Sequence, residues 1–455
     1  MDLVFLKRMK NSLNKLLFYL LVFLVPIGTK KFITSFPEPF KIPISYGSFF
    51  LYGLDIIVLL FVVLNLRKIS LDRRAWWLLS FLAAALVSVF FSLSLGLAVY
   101  AFFHLALFAL FALIIARMMS DGFLNLKNTF LVLGCSAVAE AVVGLLQFRD
   151  QASVGLRILG ESVLGPMTEG VARASTAFGD FLRIYGTMPH ANILAGFLVF
   201  GFVALLFVFS RTGDEKRDAL KRLGIVAALF LILSAILLTF SRSGLAVFVF
   251  AVGTTIVYGL SEAFLRRRSL FLIGILLLFV VFSAFGFKGL ATARDSVSLT
   301  EPSVTYRVDY GLIAFDLIRS HPIFGVGVGN EVLAGLTAGL YQGQGMHSSW
   351  QWQPAHNLYL LIASETGLVG LALFVGFLWS VFWPAAKEFW KERKSEQGLD
   401  LFFPLVLGVS WLAFGMVDHF FWDLESGQLM FWLTLGIIMG VSAHSSTDRA
   451  YPSEG

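Results

Sequence analysis

The sequence predicts an all-α polytopic membrane protein with about twelve transmembrane helices. Three observations predict it: the composition, the recurrence of long apolar runs, and the placement of the basic residues. Of 455 residues, 58% are hydrophobic and 14% charged, with 48 Phe and a mean hydropathy of +0.81. A soluble domain carries far more charge than this. Apolar runs of about 20 residues recur along the whole length, each able at ~1.5 Å per residue to cross ~30 Å of hydrocarbon.

The expected spans are approximately 13–29, 47–65, 75–93, 97–116, 129–148, 190–209, 223–240, 243–260, 270–287, 357–383, 401–418 and 427–443. They read as a single integral membrane domain over 1–443, followed by a polar, disordered cytoplasmic tail over 444–455. The first run follows Lys7, Arg8, Lys10 and Lys15 as a signal peptide would, but Pro26-Ile27-Gly28-Thr29-Lys30 offers no small-residue cleavage site. It is therefore read as a retained span. The lone cysteine, Cys135, excludes an intrachain disulfide and is expected to be a small core residue.

A formal charge of +6 suggests nucleic acid until the basic residues are placed on loops, where they sort by membrane side instead. With both termini cytoplasmic, that side collects 23 of the 35 Lys and Arg, including Arg73, Arg74, Lys216, Arg217, Lys221, Arg222, Arg266, Arg267 and Arg268. The positive-inside rule thus fixes the orientation. Two long loops, about 149–189 and 288–356, and the tight Ser241-Arg242-Ser243-Gly244 turn then face outward. A connector with Pro37, Pro39 and Pro43 does so too.

Charges that this rule does not explain are the ones to weigh, because an ionisable group near lipid is costly and tied to function. Arg183 to Asn192, with His190, leads into the sixth span, either as a solvated loop end with Asn192 as the helix N-cap or as part of a site. Arg242 sits in a turn so short that its guanidinium lies at the membrane surface; it either snorkels to headgroups or binds a ligand. A guanidinium suits a diphosphate, since its fork makes bidentate charge-assisted hydrogen bonds.

Tyr306 and Arg307 open an amphipathic stretch through Leu312, Ile313, Phe315, Leu317 and Ile318, which reads as an interfacial helix, with Asp309 and Asp316 as alternative partners for Arg307. Gly325-Val326-Gly327-Val328-Gly329-Asn330 after it is a turned loop, not a dinucleotide fingerprint. His356 and Asn357 precede the tenth span, where Pro354 sets up a helix start whose dipole favours neutral imidazole. A surface or capping histidine is the alternative. Glu365 lies deeper on the same helix and requires a partner, Arg242 or another outward Arg. Tyr306, Tyr310, Tyr341, Trp350 and Trp352 either stack on sugars or form the interfacial belt. Asp423 and Glu425 beside Asp418 and His419 are the best outward acidic pair, a weak metal signal that fits a helix turn or an acceptor entrance better.

Four segments in this order, RIYGTMPHANILAGFL, TFSRSG, TYRVDYGLIAFDLIRSHPIFGVGVGN and HNLYLLIASETGLVGL, resemble the O-antigen ligase and polymerase superfamily over roughly residues 176–440. The family pattern more often reads His-Pro-Asn where this chain has His190-Ala191-Asn192. The resemblance implies a GT-C-type architecture with a large periplasmic loop between the ninth and tenth helices, in a bacterial inner membrane. It implies a ligase that takes glycan from undecaprenyl diphosphate, passes it to the lipid A–core oligosaccharide on the periplasmic face, and needs no metal or cofactor. Matching the motifs residue by residue assigns the diphosphate to Arg183 and Arg242, with Arg307 as a further contact. His356 orients or deprotonates the acceptor hydroxyl, and the anomeric centre inverts. Tyr306, His190, Asn192, Asn357, Glu365 and Trp352 complete the expected substrate-binding set. An O-antigen polymerase and a protein O-oligosaccharyltransferase are alternatives within the superfamily. A polar-lipid transporter or flippase is the alternative from another class, and it predicts broken helices related by internal repeats.

Overall fold

The computed structural model describes residues 3–35, 45–165, 168, 170–176, 179–213, 215–286 and 302–450. The connector prolines Pro37, Pro39 and Pro43, the 288–301 part of the large loop and the last residues of the tail lie outside the described residues.

The described residues are mostly helical, with two small antiparallel ribbons among them. Helix α1 spans Leu3–Leu24, and β1 (Lys30–Ser35) pairs with β2 (Ser48–Tyr52) through a bulge between Phe32 and Thr34. Next come α2 (Gly53–Asn65), α3 (Arg73–Val89), α4 (Leu95–Ser120) and α5 (Leu126–Asp150). The last three begin where short polar side chains take the free amides of the first turn. Asp72 Oδ1 accepts from Ala75 N at 2.9 Å, Ser94 Oγ from Leu97 N at 3.3 Å and Asn125 Oδ1 from Asn128 N at 3.0 Å. The second ribbon, β3 (Arg173–Thr176) with β4 (Gly179–Leu182), precedes α6 (Ala191–Ser210), α7 (Ala219–Leu238), α8 (Arg242–Ser261) and α9 (Arg266–Gly286). After the large loop begins, α10 (Pro302–Ser320) and α11 (Glu331–Thr337) are followed by α12 (Leu358–Glu392), α13 (Glu396–Phe414) and α14 (Glu425–Ala450).

Each expected span carries a helix, but among the described residues eight helical segments are long and apolar enough to cross a membrane. They are those over α4, α5, α6, α7, α8, α12, α13 and α14. The second expected span differs most. Its first third, Ser48–Tyr52, is strand, which leaves α2 with 13 residues. The apolar run continues through both, so hydropathy alone cannot separate a strand paired with Lys30–Ser35 from a helix. At the other end, α14 runs on to Ala450 where a disordered tail is expected. Cys135 lies on the exposed face of α5 and not in the core.

The chain divides into two compact units, each gathered from three stretches. The first holds Met1–Thr29, Leu124–Val297 and Trp390–Ser410. Here α6 is buried along its whole length, and Arg211 at its C-terminal end reaches Glu396 at 2.7 Å and Asp400 at 2.5 Å. The second holds Lys30–Phe123, Ser298–Phe389 and Trp411–Gly455. In it, Arg74 of α3 donates to Met439 O and Ser442 Oγ of α14, both at 2.9 Å.

The tenth span is not one continuous helix. Gly367 breaks α12 with φ 74° and ψ 178°, and a Cβ there would lie 2.0 Å from Ile323 O. A side chain cannot occupy that space, so only glycine lets the 322–327 loop lie against the break. Leu368 N donates to Pro322 O at 2.8 Å, while Val326 N and Gly327 N donate to the carbonyls of Ser364 and Glu365, each at 2.9 Å. The glycine-rich loop expected from the sequence is thus a wedge that supplies the backbone partners a broken helix needs.

Candidate active site

In the first unit the segment after β4 is held from beneath by polar side chains of α5. Gln147 accepts from Tyr185 N at 3.0 Å and Gly186 N at 2.8 Å, and donates to Gly186 O at 2.8 Å. Glu140 takes the Thr187 amide at 2.8 Å and hydroxyl at 2.7 Å. In the sequence these two residues stand out only as polar groups inside an apolar run. They pin the turn that aims Arg183.

Arg183 is buried, and its fork is occupied from two directions: Nε donates to Thr239 O and Nη2 to Asn192 Oδ1, both at 2.6 Å. The first and second motifs therefore meet, since Thr239 opens the turn that carries Arg242. That turn stores strain, because Phe240 adopts φ 50°, a left-handed conformation costly for an aromatic residue. Ser241 Oγ accepts from Gly244 N at 3.1 Å, and Arg242, partly exposed, is the first residue of α8. His190, not Asn192, caps α6: its Nδ1 accepts from Asn192 N at 3.1 Å. Asn192 is the second residue of α6, and its side chain serves Arg183 instead.

In the second unit the large loop builds a core of its own. Tyr310, Ile313 and Leu317 of α10 pack with Val332 and Leu336 of α11 and with Tyr341, Met346 and Trp352. This corrects the expectation for three of the aromatic residues. Tyr341 and Trp352 are neither a sugar platform nor a membrane belt, and Tyr310 is buried with them. Tyr341 Oη donates to Gln353 O at 2.7 Å and Trp352 Nε1 to Met346 O at 3.2 Å, so their polar ends fasten the chain just ahead of His356. Trp350 stays exposed, and Tyr306 accepts from Gln351 Nε2 at 3.0 Å.

His356 is fixed on every side. The amide before it, Ala355 N, donates to the buried carboxylate of Glu331 at 3.1 Å. Glu331, also missed in the sequence, has its carboxyl held well above the usual range, first by burial and then by the Glu365 carboxylate. After His356, Asn357 caps α12 by accepting from Tyr359 N and Leu360 N, both at 3.0 Å, and donates to Met416 O at 2.9 Å. The ring of His356 stacks on Tyr310 at 5.1 Å and 16°, and meets His419 edge to face at 4.6 Å and 70°. Its Nδ1 lies 3.1 Å from Pro354 O, which fixes Nδ1 as the protonated nitrogen and Nε2 as the acceptor. Burial, and then the His419 charge, push the His356 imidazole below its usual value, so the helix dipole expected to do this is not the main cause.

Glu365 is buried, and its partner is not an arginine. Oε2 accepts from Trp422 Nε1 at 2.7 Å, and the backbone amides of Gly329 and Glu331 also bond its carboxylate. The acidic pair Asp423 and Glu425 is split: Asp423 bonds His419, whereas buried Glu425 interacts electrostatically with Asp55 and Lys30. Asp55 in turn meets His104 Nε2 at 2.8 Å.

The stretch from α7 into α12 carries Arg242, Arg307 and His356. Residues 227–375 match the family model Wzy_C, described as O-antigen ligase. The resemblance expected from the motifs holds over this stretch, which is less than half of the 455 residues and leaves Arg183, His190 and Asn192 outside it. No curated protein matches the chain. The match and the eight apolar helices together support a multi-pass membrane protein with a stretch similar to the O-antigen ligase family.

Proposed function

We propose that the chain is an O-antigen ligase of a bacterial inner membrane, a GT-C-type protein of twelve passes with both termini cytoplasmic. It transfers glycan from undecaprenyl diphosphate to the lipid A–core oligosaccharide on the periplasmic face. The observation that carries this reading is the placement of His356 inside the family-matched stretch, with Nδ1 turned to Pro354 O and its chain neighbours Ala355 and Asn357 both hydrogen-bonded, which leaves Nε2 to accept a proton. The acceptor hydroxyl attacks the anomeric carbon, its proton passes to His356 Nε2, and the bond to the diphosphate breaks with inversion. Arg183, Arg242 and Arg307 neutralise the departing diphosphate, a task their permanent charge and forked geometry suit.

Deletion in the source organism followed by lipopolysaccharide gel analysis tests this. Bare core with accumulated lipid-linked polymer supports the ligase. Core bearing one repeat unit indicates a polymerase, and normal lipopolysaccharide with unglycosylated protein indicates a protein O-oligosaccharyltransferase. The break at Gly367 is a feature the transporter reading also predicts. Glycosidic bond formation in proteoliposomes without a gradient separates the two.

A further inference from the structure

A second histidine touches His356 and has no role in the chemistry above. His419 is buried, its Nδ1 lies 2.9 and 2.8 Å from the two carboxylate oxygens of Asp423, and its amide donates to Asp418 Oδ1 at 2.9 Å. The Tyr46 ring stands 5.8 Å from it. We infer that the His419–Asp423 pair is a positioning element for the transfer reaction: it sets a charged imidazole against His356 and so keeps the acceptor's proton destined for His356 Nε2.

The argument is one of opposed surroundings for two rings in contact. His356 is faced by His419, Arg307, Asp418 and Tyr310. Burial weighs against its charged form, and the two cations outweigh the one carboxylate. His419 is faced by Asp423, Asp418, Arg307, Tyr46 and His356. Burial opposes charge there too, but the bonded Asp423 and the nearby Asp418 overcome it and raise its value. Two like charges 4.6 Å apart between ring centres are unfavourable, so a proton held on His419 excludes one from His356. The sign follows directly. His356 stays a base as pH falls through the ordinary histidine range, and loss of the His419 charge lets it take up a proton at higher pH.

This rests on the proposed transfer function, and the test separates the two. Transfer is measured across pH 3–9 with wild type, His356→Ala, His419→Gln and Asp423→Asn. The expected result is an acid limb for wild type below the usual histidine value of about 6.5, moved upward by about one pH unit in His419→Gln and less in Asp423→Asn. Donor KM is unchanged and kcat falls at low pH. Coincident acid limbs, with His356→Ala inactive, overturn the inference and leave the function standing; an active His356→Ala overturns the function itself. Nuclear magnetic resonance of ring-labelled histidines in wild-type nanodiscs needs no active variant. At pH 6 one ring of the pair is charged and the other neutral, and two rings titrating together near the usual value contradict the inference.

Discussion

The arginine cluster of the first unit and the histidine cluster of the second are both built at helix starts from buried polar groups, yet they handle charge in opposite ways. Arg183 carries a permanent charge, and two of its hydrogen bonds go to neutral acceptors, Thr239 O and Asn192 Oδ1. Those two bonds orient the guanidinium and leave its charge uncancelled by them. His356 and His419 hold titratable rings whose charge is decided by Asp423, Asp418, Arg307 and burial. A site that binds a diphosphate needs the first arrangement, and one that moves a proton needs the second.

The largest expected effect falls on the histidine side. His356→Ala should lower the transfer rate by about 10²- to 10⁴-fold, the usual contribution of a general base, with donor affinity unchanged in a binding assay. Equal loss of donor affinity would erase the division of labour. On the arginine side, Arg183→Lys keeps the charge but cannot reach two acceptors with one planar fork. Donor affinity should fall about tenfold or more, the loss of one charge-assisted hydrogen bond, with no change in the pH profile. A shifted profile would make Arg183 part of the proton chemistry.

Smaller effects probe the supports. Gly186 has φ +62°, and a Cβ there would lie 2.1 Å from Glu140 Oε2. Gly186→Ala should cost about 1–3 kcal/mol and lower the thermal midpoint of the protein, weakening donor binding through Arg183. Asn357→Ala removes the cap of α12 and should cost about 1 kcal/mol, with a modest fall in kcat as His356 loosens. Tyr341→Phe deletes one buried hydrogen bond to Gln353 O, worth about 0.5–1.5 kcal/mol, and should leave kcat unchanged.

The sequence displayed the membrane class, the helix positions and the four motifs, because apolar runs and short-range patterns are local. What it concealed was set by distant contacts. The run over 357–383 reads as one helix, and only the Ile323 carbonyl against Gly367 shows why it breaks. Trp352 and Tyr341 look like surface aromatics until α10 and α11 close over them. Asp423 and His419 stand four residues apart and read as a loose acidic cluster; their meaning comes from the His356 ring, far away in sequence. Glu365 calls for a partner in the sequence, and the indole of Trp422 is not one that charge reasoning suggests.

The most direct test uses purified protein in sealed vesicles with no ion gradient, supplied with a lipid-linked glycan donor and a lipid A–core acceptor. The account predicts a new glycan–core product, formed by wild type and depressed at least a hundredfold in His356→Ala, within the range for a general base. Movement of the donor lipid across the bilayer without a new glycosidic bond, or wild-type product yield from His356→Ala, would contradict it.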